Sequence, residues 1–213
     1  AIGTARAYRA MTGRACVPVF WVASEDHDLD EVRDARFPGK DPGGVTFRYP
    51  GLADRRPLSD YPMGPEALAV VEAAAEHLGA RRHGATARAL LGLYRGRTLA
   101  GGFAAVMHAL LGHTGLLVLD PAEVRPQAVS IFRRVIEHPA EVLACVERGR
   151  RDVQARGMEP LVAGRFPLFA ILDGKRQHLA VEMFGLRVDG GGPSFSREAL
   201  VRMLGDDAST FSP

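Results

Sequence analysis

Residues Val17-Pro18-Val19-Phe20-Trp21-Val22-Ala23 form an unbroken run of seven apolar residues, followed without a spacer by Ser24-Glu25-Asp26-His27-Asp28. Seven residues are too few for a helix of ordinary length. They match a strand buried on both faces, as the central strands of parallel sheets are. In open α/β sheets ligands settle just beyond the carboxyl ends of the strands. Three carboxylates around one imidazole would then lie where such a fold does its chemistry. A structural reading competes with this one. Acids after a strand often cap the next helix, and Asp28-Leu29-Asp30-Glu31-Val32 has the makeup of a first helical turn.

A second short apolar run, Gly115-Leu116-Leu117-Val118-Leu119, again ends in an acid, Asp120, followed by Pro121. Two such runs with helical sequence between them predict an α/β protein with a parallel sheet. Strand 16–23 should lie beside strand 115–119 or one strand away, with Asp120 and the acidic cluster facing one crevice. Asp120 also suits the N-cap of the following helix, where Val124, Ala128, Ile131 and Val135 are spaced for one face.

Before the first run, residues 1–13 read as a helix closed by Gly13, and after it 36–44 reads as a turn-rich loop. Val45, Phe47 and Tyr49 alternate as in a half-buried strand, and 50–64 is a loop rich in Pro, Asp and Gly. Pro65 suits a first helical position before Leu68, Val71, Ala75 and Leu78. Helical sequence continues over 85–95. Thr98 is placed to cap a helix with Leu99, Phe103, Val106 and Leu110 as its apolar stripe. Pro139 opens a further helix with Val142, Val146 and Val153 inward, ending near Gly157. Beyond it come short strands at 160–163, 167–172 and 177–183, with Asp173-Gly174 as a hairpin turn. Gly190-Gly191-Gly192 lies in a loop, and without a strand-to-helix context it is weak evidence for phosphate binding. Ser196 caps a last helix to Leu204.

The bounds exclude several classes. No run among the 213 residues approaches 18 apolar positions, so nothing reads as a membrane span. The net charge is +2 and the arginines are scattered, which is no nucleic-acid footprint. Cys16 and Cys145 stand far apart, making neither a disulfide framework nor a zinc site, and a reducing cytoplasm fits.

Val17-Pro18-Val19-Phe20-Trp21, the Ala23 to Asp28 run and Asp30-Glu31-Val32, together with Gly115-Leu116-Leu117-Val118-Leu119-Asp120, resemble the bacillithiol biosynthesis cysteine-adding enzymes. The resemblance covers essentially the whole chain, with 16–32 and 115–120 as its sharp parts. It implies a Rossmann-like fold related to nucleotidyltransferases and class I synthetases, with a helical and β-rich insertion. Residues 1–138 would be a partial core with a helical insertion over about 50–110, 139–205 a connecting insertion, and 206–213 the start of a return to the core. It also implies a longer parent protein. The family's glycine-rich segment is expected upstream of Ala1, and a coiled coil that pairs two subunits downstream of Pro213.

The activity implied is the last step of bacillithiol synthesis, joining cysteine to glucosaminyl-malate through an amide. Related folds activate a carboxylate by adenylation, so ATP is the implied cofactor. The amine must lose a proton to attack, and His27 among Glu25, Asp26 and Asp28 is the natural acceptor. Asp26 or Asp28 would fix the imidazole tautomer or hold the substrate ammonium. Ser24 and Asp120 are expected at the substrate. Trp21 would either stack on it or pack in the core. A metal-dependent hydrolase is the rival reading, because Glu25, Asp26, His27 and Asp28 include hard-cation ligands. His108, His113 and His138 lack the spacing to complete such a site, so no metal is assigned. A non-catalytic interaction module is the third reading.

Overall fold

The computed structural model describes residues 1–39, 42–79, 81–160, 164–183 and 185–212. Of the strand expected at 160–163, residues 161–163 lie outside these. The chain divides between Glu123 and Val124 into two compact units.

The first unit opens with α1 (Ile2–Thr12), which stops where Gly13 adopts a left-handed φ of 68° and returns its N–H to the Arg9 carbonyl. The strand β1 (Val19–Trp21) follows, then a single helical turn α2 (Leu29–Val32) and the antiparallel hairpin β2 (Asp34–Phe37) and β3 (Val45–Arg48). Helices α3 (Pro65–Gly79), α4 (Gly84–Leu91) and α5 (Leu99–Leu111) lead to β4 (Leu117–Leu119). β1 and β4 pair in parallel, with Val19 opposite Leu117, Phe20 opposite Val118 and Trp21 opposite Leu119. The ladder continues on either side through Leu117 N–H to Pro18 O (2.9 Å) and Val22 N–H to Leu119 O (3.0 Å). This is the parallel α/β pairing that the two apolar runs predict.

Three local expectations change in this unit. β1 is shorter than 16–23 and is buried on one face only among the described residues. Phe20, Val22 and Val118 pack toward α5, and the Phe20 and Phe103 rings are 5.9 Å apart. Val17 (63% exposed), Val19, Trp21 (53%) and Leu117 occupy the other face. A uniformly apolar strand carries no record of which face is covered. The α5 stripe also differs, because Phe103 and Leu110 are exposed while Ala100 and Gly102 are buried. Small residues let this helix approach closely: a Cβ on Gly102 would stand 2.1 Å from Tyr94 Cδ1. The expected cap is present, with Thr98 Oγ1 accepting from Gly101 N–H at 3.1 Å. β2 falls partly within the segment read as a turn-rich loop. Its charged residues conceal the strand, and Asp34 pairs with Arg48 across it (2.6 Å).

Helix α6 (Pro121–Glu137) contains the division point. In the second unit its residues Phe132 and Ile136 are buried, whereas Ile131, expected inward, is 63% exposed. α7 (Pro139–Ala155) follows, then β5 (Phe169–Leu172), β6 (Lys175–Val181), β7 (Gly185–Val188), β8 (Ser194–Ser196), α8 (Arg197–Asp206) and β9 (Phe211–Ser212). These strands form one antiparallel sheet in the order β8-β7-β6-β5-β9. Asp173 (φ 51°) and Gly174 (φ 70°) make the tight turn between β5 and β6. The three glycines at 190–192 connect β7 to β8, two strands not expected from the sequence. Ser196 Oγ caps α8 by accepting from Ala199 N–H. Phe166, Leu168, Ala170, Leu179, Leu186, Leu200, Leu204 and Phe211 join Phe132 and Ile136 in the core of this unit.

Two glycine substitutions separate packing from helix propensity. Gly149, exposed in α7, has no atom within 4 Å of its would-be Cβ, so Gly149→Ala should stabilise the chain by about 1 kcal/mol. Gly102→Ala gains the same propensity but drives a methyl into the Tyr94 ring, and should lower stability by about 1–3 kcal/mol. Urea denaturation of both variants checks the opposite signs.

Candidate functional site

Two buried apolar anchors bracket the acidic cluster. Val22 and Leu29 are both inside the core of the first unit, with Tyr49, Leu58, Tyr61 and Met63. Burying each is worth about 1.5–3 kcal/mol, which fixes both ends of the short segment between them. Ser24 is fully buried and Glu25 is 6% exposed, so the segment turns inward before it reaches solvent. Its backbone is held from the 50–64 loop, where Leu58 N–H donates to Asp26 O (2.7 Å) and Ser59 N–H donates to Ser24 O (2.8 Å). The Ser24 hydroxyl donates to Asp120 Oδ1 at 2.6 Å, linking the ends of β1 and β4. The same Oδ1 accepts from Ala122 N–H at 3.0 Å, so Asp120 does cap α6.

His27 sits between two carboxylates. Its Nδ1 is 3.5 Å from Asp26 Oδ1 and its Nε2 is 3.7 Å from Asp28 Oδ1, with the imidazole side chain 17% exposed. Asp26 Oδ1 also accepts from the His27 N–H at 2.7 Å, which fixes that carboxylate against the backbone. Asp28 occupies the N-cap position of α2, but its side chain makes no capping hydrogen bond. Helix capping therefore does not account for Asp28. Asp26, His27 and Asp28 each offer one ligand atom within 4.8 Å of the others, a spacing that a divalent cation could accept and that acidic clusters also show without one. Trp21 is on the exposed face of β1, so it is not a core residue here. His108 is exposed on α5. The second unit holds its own acid-linked histidine. His178 Nδ1 meets Asp189 Oδ2 at 2.6 Å and its Nε2 meets the Phe166 carbonyl at 2.7 Å, so the ring ties strand to loop.

Sequence reasoning missed the clasp that holds the loop against the cluster. Arg56 Nε lies 2.9 Å from both carboxylate oxygens of Asp54, and Tyr61 Oη donates to Asp54 Oδ1 at 2.9 Å. Tyr61 is buried edge-on to Tyr49, whose own hydroxyl donates to Pro62 O. The Arg56 hydrogen bonds hold the Asp54 carboxyl down at about 2, and burial pushes the Tyr61 hydroxyl up. The available signal was an Asp and an Arg two residues apart, five residues before a Tyr, in a loop otherwise read only as a breaker.

A lowered folded pKa means that the Asp54 contribution is complete above the unfolded carboxyl range. It is lost as pH falls through about 2. Asp54→Asn should therefore cost about 1 kcal/mol at neutral pH, allowing for the partly exposed position. The difference from the parent protein should shrink steadily from about pH 5 down to about pH 2, given an unfolded Asp near 3.9. Denaturation curves at stepped pH check this.

The family described as Bacillithiol biosynthesis BshC, N-terminal Rossmann-like domain, matches residues 1–213. A protein of Heliobacterium modesticaldum named as a cysteine ligase, BshC, is 30% identical over 226 residues, covering 99% of this chain and 40% of that protein. Similarly named proteins of Koribacter versatilis and Salinibacter ruber are each 31% identical, covering 94% and 95% of this chain and 38% of their own length. The chain thus spans about two-fifths of the relatives that it matches. No helix among the described residues is long and apolar enough to cross a membrane. With its parallel β1–β4 pair and the acids at their carboxyl ends, the chain belongs to the BshC N-terminal Rossmann-like domain family.

Proposed function

We propose that the complete gene product joins the carboxylate of cysteine to the amine of glucosaminyl-malate, and that the first unit supplies the base. The observation that carries this is His27 held between Asp26 and Asp28 beyond β1, beside an Asp120 held beyond β4. Asp26, fixed by the His27 N–H, faces the ring at Nδ1, and Nε2, 3.7 Å from Asp28 Oδ1, is the atom that takes the proton of the substrate ammonium. The freed amine nitrogen attacks the activated acyl carbon, a C–N bond forms and the activating group departs. Glu25 and Asp28 add negative charge to the segment, which attracts a cationic amine substrate. Trp21, exposed next to this segment, offers a face for a sugar ring. ATP enters as the substrate that activates the cysteine carboxylate. Gly190-Gly191-Gly192 does not suit its phosphates, because it joins two antiparallel strands instead of presenting amides at a helix start. A cytoplasmic homodimer is the assembly that fits this reading.

A general base contributes about 10²–10⁴ in rate, or about 3–5 kcal/mol. In the complete gene product His27→Ala should lower kcat by that factor with KM little changed, while His108→Ala leaves both within about twofold. Steady-state kinetics with cysteine, ATP and glucosaminyl-malate tests this, with cooperative melting as the check on folding. Unchanged turnover in a folded His27→Ala protein would remove the histidine from catalysis. The ligand-like spacing of Asp26, His27 and Asp28 favours one second reading, a metal-assisted hydrolase. Stoichiometric divalent metal in the purified protein, lost on Asp28→Ala, would support it.

A further inference from the structure

We infer that Ser24 is a positioning residue, whose buried hydroxyl pins Oδ1 of Asp120 so that Oδ2 serves as the acceptor for a hydroxyl or ammonium donor of the amine substrate. The inference rests on the function proposed above and assigns Ser24 and Asp120 separate roles within it.

Ser24 is fully buried, so its side chain does not reach a ligand in the crevice. Its hydroxyl proton is committed to Asp120 at 2.6 Å, the length of a charge-assisted bond. Ser24 itself cannot drift, because its carbonyl is held by Ser59 N–H and the adjoining Val22 N–H completes the β1–β4 ladder. Asp120 is partly exposed, and its Oδ1 receives two donors, the Ser24 hydroxyl and Ala122 N–H. Its Oδ2 takes no hydrogen bond among the described residues. Two donors on one oxygen fix the carboxylate plane and leave the other oxygen as an oriented, charged acceptor. Such an acceptor favours a cationic or hydroxylated ligand over a second anion, which fits an amino sugar better than a nucleotide phosphate or the cysteine carboxylate. If Asp120 were only a helix cap, the Ala122 contact alone would serve and the Ser24 bond would add nothing to binding.

The test uses the complete gene product with three variants: Ser24→Ala, Asp120→Asn and the double substitution. Kinetics are measured separately against glucosaminyl-malate and cysteine, with calorimetric binding of glucosaminyl-malate and melting curves for each protein. Ser24→Ala should lower kcat/KM for glucosaminyl-malate by about 10-fold or more, since misplacement near 1 Å costs up to about 100-fold. The KM for cysteine should stay within about twofold, and the double variant should be no worse than Asp120→Asn. A purely structural serine would instead lower the melting temperature and disturb both substrates alike, and that result overturns the inference. So does an unchanged kcat/KM in Ser24→Ala, or losses from the two single variants that multiply in the double; in each of these cases an active parent protein leaves the proposed function standing. A folded parent that neither binds nor turns over glucosaminyl-malate overturns both.

Discussion

The parallel pairing of β1 with β4 is the constraint on which the candidate site depends. Three residue pairs set the register, and the register brings the residues after Trp21 alongside those after Leu119. Parallel pairing puts both carboxyl ends on the same side. Two acidic segments almost a hundred positions apart are therefore neighbours in space. A one-residue slip would turn every side chain of β1 to the opposite face, taking Phe20 and Val22 out of the core. The core thus protects the register, and the register places the acidic segment after β1 beside Asp120.

Concentrating Glu25, Asp26, Asp28 and Asp120 in one place is electrostatically unfavourable, and the backbone opposes it with fixed donors. The Ala122 amide donates to the Asp120 carboxylate and the His27 amide to that of Asp26, while the Leu58 and Ser59 amides hold the main-chain carbonyls of Asp26 and Ser24 in place. The Asp54–Arg56–Tyr61 clasp stiffens the loop that carries two of those donors. A site built this way needs little reorganisation when charge develops on a ligand, which is the property that electrostatic catalysis exploits.

Legibility followed the physics of each signal. Val17 to Ala23 and Leu116 to Leu119 were readable as strands because short apolar runs ended by acids have few other solutions, and their family resemblance was specific. Caps at Gly13, Thr98 and Ser196 were readable because single side chains or a single φ decide them. Faces were less legible. Ile131 and Phe103 fit an apolar stripe by spacing, yet Phe132 and Gly102 are the residues turned inward, because packing partners and close approach override periodicity. β2, β7 and β8 were missed since charged or glycine-flanked strands of three or four residues carry almost no alternation. The Ser24–Asp120 bond was out of reach of local sequence altogether, being a contact of 96 positions' separation.

The claim that one crevice at the ends of β1 and β4 receives the amine substrate is open to a direct measurement. Hydrogen–deuterium exchange would be followed on the complete gene product with and without saturating glucosaminyl-malate. Peptides covering residues 22–30 and 116–123 should slow together, with those covering 57–61 following through their amide bonds to the cluster. Protection confined to other segments, with exchange at 22–30 and 116–123 unchanged while the ligand is bound, would contradict the shared site.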